Sequence, residues 1–425
     1  MRVLVTGAGG FIGRAVVTRL GKGGFDVTAL VHSDRTPIPG AARTLVGDIT
    51  DKAFLEEALG GMDTVVHLAA RKLDEPDSRA VNVGGMQNLI EAAKKTSTRI
   101  LAISSASVKL AQPGLYGATK KEAEDLLVAS GKNSLILRPS IVYGDDRYGA
   151  FATLVRAAQL PLIPMFGDGT WVSHPIYIDD LAEAIKRALE RALPAQIYDV
   201  GGPEAVSLDT VLKSVRTILL QKPPPRIMHV SRRIGNALAT VLALCMRKPP
   251  ITKSNVAGSN QPISWEGSAF FKDFDFMPRT LAEGLHAMVE RKRIEEARVL
   301  YTYIYSRSGT RSKPAPALLE RYVRATLRSD LPILHPLLLS FPILIGPLDA
   351  ATRLSSPESG LRKRLLIMSA LVEADPRSVS WLYPRERQYL SVIAEAALLG
   401  ISALVKILAG AIFALLPGFL KIYAR

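Results

Sequence analysis

One cysteine, Cys245, stands in 425 residues. A lone thiol closes no intramolecular disulfide and builds no cysteine cage for zinc, so neither can hold this chain together, and a reducing compartment suits it. No metal site is expected. The sequence also lacks an internal repeat and a recognisable nucleic-acid-binding module. Met1 runs straight into "RVLVTGAGG", without a charged leader, apolar stretch and small-residue cleavage site, so no cleavable signal is read there. What the chain has in quantity is apolar mass and positive charge. A hydrophobic content of 48% is ample for a buried core and excludes a disordered protein, and the length suggests two or three domains. The net charge of +15 is uneven: residues 291–425 hold 20 Lys and Arg against 10 Asp and Glu, two thirds of the excess.

From residue 1 to about 200, short β-branched runs alternate with helix-like stretches. "RVLVTGA", "DVTALVH", "DTVVHLAA", "RILAIS" and "SLILRPS" read as strands, and 11–21, 79–95 and 116–130 as helices. That rhythm predicts an α/β fold, a Rossmann-type doubly wound parallel sheet with crossover helices on both faces. Near-continuous apolar strands fit burial on both sides. Beyond residue 160 the pattern loosens at "PLIPMFGDGT" and "KPPPR" and resumes as a strand-helix couple in "FDFMPRTLAEGLHAMVE". The expected organisation is a dinucleotide-binding domain over 1–165, with a later strand near 195–202, then a smaller substrate lobe over 166–290. A basic, hydrophobic, helical and membrane-associating extension over 291–425 completes it.

"VLVTGAGGFIGRAVV" is a strand, a glycine turn and a helix in order, with Gly7, Gly10 and Gly13 spaced three apart. Glycines let the backbone approach a pyrophosphate, and the helix N-terminus that opens at Phe11 and Ile12 offers free N–H groups and a positive dipole end. The end of the second strand usually separates NAD from NADP, because a carboxylate there accepts the ribose 2′-hydroxyl and a basic residue suits a 2′-phosphate. Here "ALVHSDR" places His32 at the strand end without an acid, and Arg14 and Arg35 are near in sequence. NADP(H) is therefore the expected cofactor over NAD(H), with Asp34 the residue that argues the other way.

Taken together, "TGAGGFIG", "GDIT" at 47–50, "HLAA" at 67–70, "NVGGMQNLIEAA" at 82–93, "SSASV" at 104–108, "YGATK" at 116–120, "RPSIVYG" at 138–144 and "HPIYIDDLAEAI" at 174–185 resemble an extended short-chain dehydrogenase/reductase over residues 1–290. This is the NAD-dependent epimerase/dehydratase family, and the likeness is to its atypical branch, which includes the accessory subunit of respiratory complex I. The resemblance implies that Asp48, with its neighbour Ile49, meets the adenine and that Ala69 and Ala70 line the cofactor path. It further implies that Asn82 supports the active-site helix, Ser105 bonds the substrate carbonyl, Tyr116 and Lys120 form the acid/base pair, with Lys120 also holding the ribose, and Pro139 and Ser140 flank the nicotinamide.

The chemistry calls for those types independently. Hydride delivery to a carbonyl leaves an alkoxide that needs a proton, and a tyrosine of ordinary pKa near ~10 is a poor base at neutral pH. A lysine four residues on shares its helix face and is expected to stabilise the phenolate, while a serine hydroxyl polarises the substrate oxygen. Two departures bear on the substrate. The loop between Ser105 and Tyr116 is about half the length usual in extended members, and Ala106 and Ser107 stand where sugar dehydratases place an acidic pair, so dehydration is not expected. His174 is read as a satisfied structural histidine over a substrate contact, and Arg71 and Lys72 as solvated surface over an anion site.

"AALLGISALVKILAGAIFALLPGFL", 396–420, carries one charge, Lys406. A helix of this length would span ~38 Å against a hydrocarbon core of roughly 30 Å. Lys406 costs about 3 kcal/mol, and each large apolar residue returns roughly 0.3–0.6, so insertion is favourable on balance. The segment is expected to cross a bilayer or lie in its surface, with a buried core helix the alternative. "LPILHPLLLSFPILIGP", 331–347, is uncharged but proline-broken, and suits an interfacial segment or an apolar wall. With ten Lys and Arg against four Asp and Glu, 291–330 reads as a basic face for anionic lipid.

The expected function is a membrane-associated oxidoreductase, its catalytic domain cytoplasmic, acting on a carbonyl or hydroxyl of a lipid-like substrate such as a long-chain base, sterol or other isoprenoid. Two rivals stand beside it: a non-catalytic nucleotide-binding accessory or assembly subunit of a membrane complex, and a sugar or polyprenyl-linked sugar epimerase.

Overall fold

The computed structural model describes residues 1–33, 36–71, 77–167, 169, 171–191, 195–245 and 263–292. The segments 331–347 and 396–420, and all of the expected extension but its first two residues, lie outside the described residues. The chain divides into two compact units, Met1–Met288 and Val289–Arg425. All numbered elements belong to the first.

In chain order the strands of the main sheet are β1 (Arg2–Thr6), β2 (Asp26–Val31), β3 (Arg43–Val46), β4 (Thr64–His67), β5 (Arg99–Ile103), β6 (Ser134–Pro139) and, after a short pair β7 (Val142–Tyr143), further strands β8 (Leu162–Phe166), β9 (Val172–Ser173) and β10 (Ile176–Tyr177), the last member β11 (Gln196–Val200). They lie in the order β11-β6-β5-β4-β1-β2-β3, and every pairing is parallel. The strand order reverses between β1 and β4, leaving a crevice at their carboxyl ends.

Residue alternation explains why both faces are covered. Val3, Val5, Leu101, Ile103, Leu135 and Leu137 point to one face, where helices α1 (Phe11–Lys22) and α6 (Ile178–Glu190) pack. Leu4, Ile100, Ala102 and Ile136 point to the other, against α2 (Lys52–Ala58), α3 (Gly85–Lys95) and α4 (Gly114–Ala129). A third apolar cluster forms around Tyr143 and Tyr177, drawing in α5 (Gly149–Ala158), β8, α7 (Leu208–Ser214) and the helical stretch 281–288. The remaining elements are β12 (Val206–Ser207), β13 (Arg226–Val230), α8 (Arg232–Cys245) and α9 (Ser268–Phe274).

The α/β doubly wound sheet agrees with the sequence reading. Among the elements not anticipated are β3, whose residues are exposed or half-buried and so carry no apolar run, and the seven-residue α2, capped by Asp51 accepting from the Phe54 N–H at 3.1 Å. One expected element is absent. "FDFM" forms no strand, because α9 ends there and Asp275 takes a left-handed φ of 48° that stops the chain from extending. The expected helix over 79–95 opens with a wide turn, Ala80–Gly84, bonded i to i+5 before the regular helix begins.

Candidate active site

The glycine loop sits at the strand-order reversal, and its spacing has distinct causes at two positions. Gly7 has a φ of +66°, and a Cβ there would come within 2.7 Å of the Ala69 nitrogen, so this turn and the close pass of the β4 loop both demand glycine. A Cβ on Gly13 would fall 2.2 Å from the Gly7 carbonyl oxygen, which fixes how tightly α1 seats on the loop. Gly10 caps α1 without a side-chain hydrogen bond, leaving the first N–H groups of the helix open to an anion.

Above this loop lies a cavity of about 810 Å³. Gly7, Gly10, Phe11, Ile12, Gly13 and Arg14 line it from the loop, His32 from the end of β2, Asp48 and Ile49 beyond β3, and Ala69 and Ala70 beyond β4. Arg35 lies outside the described residues. Arg14 donates from Nε to the Gly9 carbonyl at 3.0 Å. Asp48 accepts from the Thr50 N–H at 2.9 Å, and that bond, with His32 Nδ1 at 3.9 Å and Arg71 adding positive charge, holds its carboxyl below the usual range despite partial burial. Arg71 itself stands on the cavity wall, with its guanidinium 3.0 Å from Asp77, where the sequence suggested only solvated surface. Lys72 lies outside the described residues. The glycines a Cβ would disrupt, the uncapped helix end and the size of the cavity together fit a dinucleotide.

A second group of residues gathers at the carboxyl ends of β5 and β6, outside the lining of that cavity. Ser105 caps a single 3₁₀ turn, Ala106–Lys109, and its Oγ accepts from the Ser107 N–H at 3.2 Å and the Ser107 hydroxyl at 2.9 Å. Helix α4 approaches this turn closely: a Cβ on Gly117 would lie 2.9 Å from the Ser107 carbonyl oxygen. Tyr116 is in the first turn of α4, and Lys120, buried, follows one turn later. Lys120 donates from Nζ to the Ile103 carbonyl at 2.7 Å.

Asn82, in the wide turn before α3, ties these parts together. Its Oδ1 accepts from the Arg71 N–H at 2.8 Å, and its Nδ2 donates to the Arg71 carbonyl and to Thr119 Oγ1, both at 3.0 Å. Thr119 in turn donates to the Tyr116 carbonyl at 3.0 Å. Pro139 ends β6 and Ser140 follows it, its hydroxyl accepting from the His174 N–H at 3.3 Å.

The electrostatics differ from the expectation in one respect. Burial pushes the Tyr116 phenol up to about 12, and Lys120 Nζ donates to the Ile103 carbonyl. Tyr116 is therefore poised as a proton donor. Lys120 acts on another neighbour: His67, fully buried at the end of β4, is held down to about 3 by desolvation first and by the Lys120 charge second.

Several residues here were missed from the sequence. Thr119 lies within "YGATK", and its signal was a hydroxyl one turn from Tyr116 on the buried side of the helix. Lys109 reaches Asp199 Oδ2 at 2.5 Å and the Ser264 carbonyl at 3.0 Å, fastening the Ser105 turn to the edge strand β11. Trp265 stacks on His174 with ring centres 4.4 Å apart, and His174 Nδ1 lies 3.1 Å from the Gly202 carbonyl, which accounts for that histidine structurally. These pairs are 90 and 91 residues apart in sequence, out of reach of any local pattern.

Comparison with known proteins agrees with this geometry. The profile of the NAD dependent epimerase/dehydratase family matches residues 3–201. The chain is 31% identical over 262 residues to a 3-diazoavenalumate denitrifying reductase from a Streptomyces species, covering 54% of this chain and 84% of that protein. It is 26% identical over 261 residues to the N-acetyl-alpha-D-glucosaminyl-diphospho-ditrans,octacis-undecaprenol 4-epimerase of Escherichia coli O157:H7, covering 55% and 76%. It is 29% identical over 189 residues to the ceramide reductase of Caulobacter vibrioides, covering 42% and 58%. Among solved structures, a UDP-glucose 4-epimerase from Thermotoga maritima shares the fold with a TM-score of 0.54 at 23% identity, over 69% of this chain and 99% of that one. These relatives give no support to the narrower likeness to the respiratory accessory subunit. The match to the family profile, the 31% identical relative and the parallel sheet together show that the chain belongs to the NAD dependent epimerase/dehydratase family.

Proposed function

We propose that this chain is an NAD(P)-dependent oxidoreductase that transfers hydride to or from a carbonyl or hydroxyl carbon of a lipid-like, membrane-derived substrate, with NADP(H) the preferred cofactor. The bound dinucleotide supplies the hydride. Gly7, Gly10, Gly13 and the α1 N-terminus hold its pyrophosphate, Asp48 and Ile49 face its adenine, and Arg14 and His32 receive a 2′-phosphate. Ser105 orients the substrate oxygen, Tyr116 gives it a proton, and the Lys120 ammonium, one helical turn on, stabilises the phenolate left behind. Asn82 positions the helix that carries both.

The observation that carries this reading is the Asn82–Thr119–Tyr116 hydrogen-bond chain beside the Ser105 turn, which fixes the backbone of the helical turn that carries Tyr116. A lipid-like substrate is supported by the shortened loop before Tyr116 and by the ceramide and undecaprenol chemistry named for two relatives. We place the protein at a membrane with its catalytic unit in the cytoplasm, and assign a bilayer-crossing or surface role to 396–420; no helix among the described residues is long and apolar enough to cross a membrane.

The test is incubation of the full-length chain with a membrane lipid extract and NADPH, followed by mass spectrometry for species that gain two hydrogens. Tyr116→Phe is expected to lower that conversion by about a hundredfold or more. Unchanged conversion would overturn the mechanism. A second reading, epimerisation of a polyprenyl-linked sugar, is favoured by the undecaprenol-linked relative. It predicts turnover without net loss of NADPH absorbance, whereas reduction consumes one cofactor per product.

A further inference from the structure

Residues 210–265 contain nine Lys and Arg and no Asp or Glu: the acids on either side are Asp209 and Glu266. Within that stretch lie β13 and α8, and both leave apolar surface uncovered. Strands β8 and β13 form an isolated parallel pair, with Leu162 opposite Arg226, Ile163 opposite Ile227 and Pro164 opposite Met228. Alternation sends Ile163 and Met165 into the apolar cluster around Tyr143, with Ile227 packed against it. The opposite face carries Leu162, Pro164 and Met228, and all three are exposed, Leu162 and Met228 at 49% and 48%. Parallel sheets are ordinarily covered on both faces, so this is the face of a pair that lacks its second layer.

Helix α8 follows β13 after one residue and reads "RRIGNALATVLALC". Gly235 and Ala239, four apart, are buried. Ile234, Ala237 and Val241 are exposed and fall at i, i+3 and i+7, one continuous stripe, with Ile234 at 61% and Val241 at 56%. Exposed basic residues rim these apolar positions: Lys222 and Arg226 on β13 and its approach, Arg233 at the start of α8.

We infer that the open face of β8–β13 and the exposed stripe of α8 form a docking surface for an anionic lipid bilayer. Apolar side chains beside the exposed Lys222, Arg226 and Arg233, with Asp209 engaged by His229 at 3.5 Å, match a leaflet with negative headgroups: the apolar groups enter the acyl boundary, and the arginines meet phosphate. An acidic protein or a nucleic acid would satisfy the charge and leave the stripe wet. This surface belongs to the catalytic unit itself, separate from the hydrophobic extension, and would bring the carboxyl edge of the sheet to substrates that reside in the membrane. The inference extends the reading of a lipid-like substrate, but its test reads contact and not turnover.

The full-length chain with Cys245→Ser carries a single new cysteine at Met228, Val241 or, as control, the exposed Val128 on α4, each labelled with an environment-sensitive fluorophore. Vesicles are phosphatidylcholine alone, the same with phosphatidylglycerol, and the latter with brominated acyl chains. Labels at 228 and 241 are expected to shift to the blue and be quenched at least twofold by bromine on anionic vesicles, and the label at 128 to do neither. Arg226→Gln with Arg233→Gln is expected to lower the bound-to-free ratio of those labels by about thirtyfold, from about 1 kcal/mol per charge lost. If the chain floats with vesicles while labels at 228 and 241 stay in water, this surface is not the contact, although a membrane-bound reductase survives. Labels already shielded without vesicles would overturn the inference in favour of a cover from a second copy or another part of the chain.

Discussion

Asn82 uses both ends of its amide inside the protein, and this makes it the residue on which the candidate site most directly depends. Its two partners are the backbone of Arg71, which lines the cofactor cavity, and Thr119, which holds the Tyr116 carbonyl. Asn82→Ala leaves buried groups unsatisfied and is expected to cost about 2 kcal/mol in urea denaturation, with turnover falling more than Thr119→Val alone produces. Buried His67 gives a pH signature. Thr6 Oγ1 lies 2.9 Å from His67 Nδ1 and already accepts from the Leu68 and Ala69 N–H groups, so the hydroxyl proton goes to the ring and the imidazole is neutral. The unfolded chain takes up a proton on this histidine near pH ~6.5, whereas the folded ring stays neutral down to about 3. The stability this ring retains is whole above the unfolded value and is lost as pH falls below it, with a slope of up to about 1.4 kcal/mol per pH unit. Denaturation midpoints of wild type and His67→Asn, compared from neutral pH downward, should show that the variant lacks this component of the acid slope.

Helix α4 brings Tyr116 and Lys120 to the sheet edge, and a buried ion pair seats it there. Arg138 on β6 meets Glu124 on α4 through Nε at 3.0 Å and Nη2 at 2.5 Å, and both side chains are largely buried. Glu124 accepts charge-assisted bonds that nothing apolar replaces, so Glu124→Leu alone strands a buried guanidinium and should cost about 3–5 kcal/mol. Glu124→Leu with Arg138→Leu should recover most of that loss, and a double-mutant cycle in urea reads the coupling. The same helix illustrates what the sequence could reveal about an element. Its extent and its tyrosine-lysine spacing were legible because both repeat within one helical turn. Its anchors were not, since Arg138 lies 14 residues from Glu124 and Thr119 lies 37 from Asn82, distances bridged only by the fold. Strand β3 escaped notice for a different reason: as the sheet's last strand it is only half-buried, and a half-buried strand carries no apolar run.

At the scale of the molecule, the parallel sheet was legible as rhythm, while the order β11-β6-β5-β4-β1-β2-β3 was not, because each crossover could in principle fall on either side of its neighbour. That order matters to function: the reversal between β1 and β4 turns a glycine loop into the floor of an 810 Å³ cavity. A ligand that binds this cavity only in the folded chain must stabilise the whole unit. At a hundredfold excess over its dissociation constant a dinucleotide should add about 2.7 kcal/mol, which raises the melting temperature of a unit of this size by roughly 4–5 °C. On the proposed preference, carried by His32 after β2 and Arg14 on α1, the larger shift is expected with NADP at equal concentration. A larger shift with NAD would reverse the cofactor assignment and leave the site intact. Gly13→Ala, whose Cβ would collide with the Gly7 carbonyl, should abolish both shifts while the chain still melts cooperatively, separating loss of the cradle from loss of the fold.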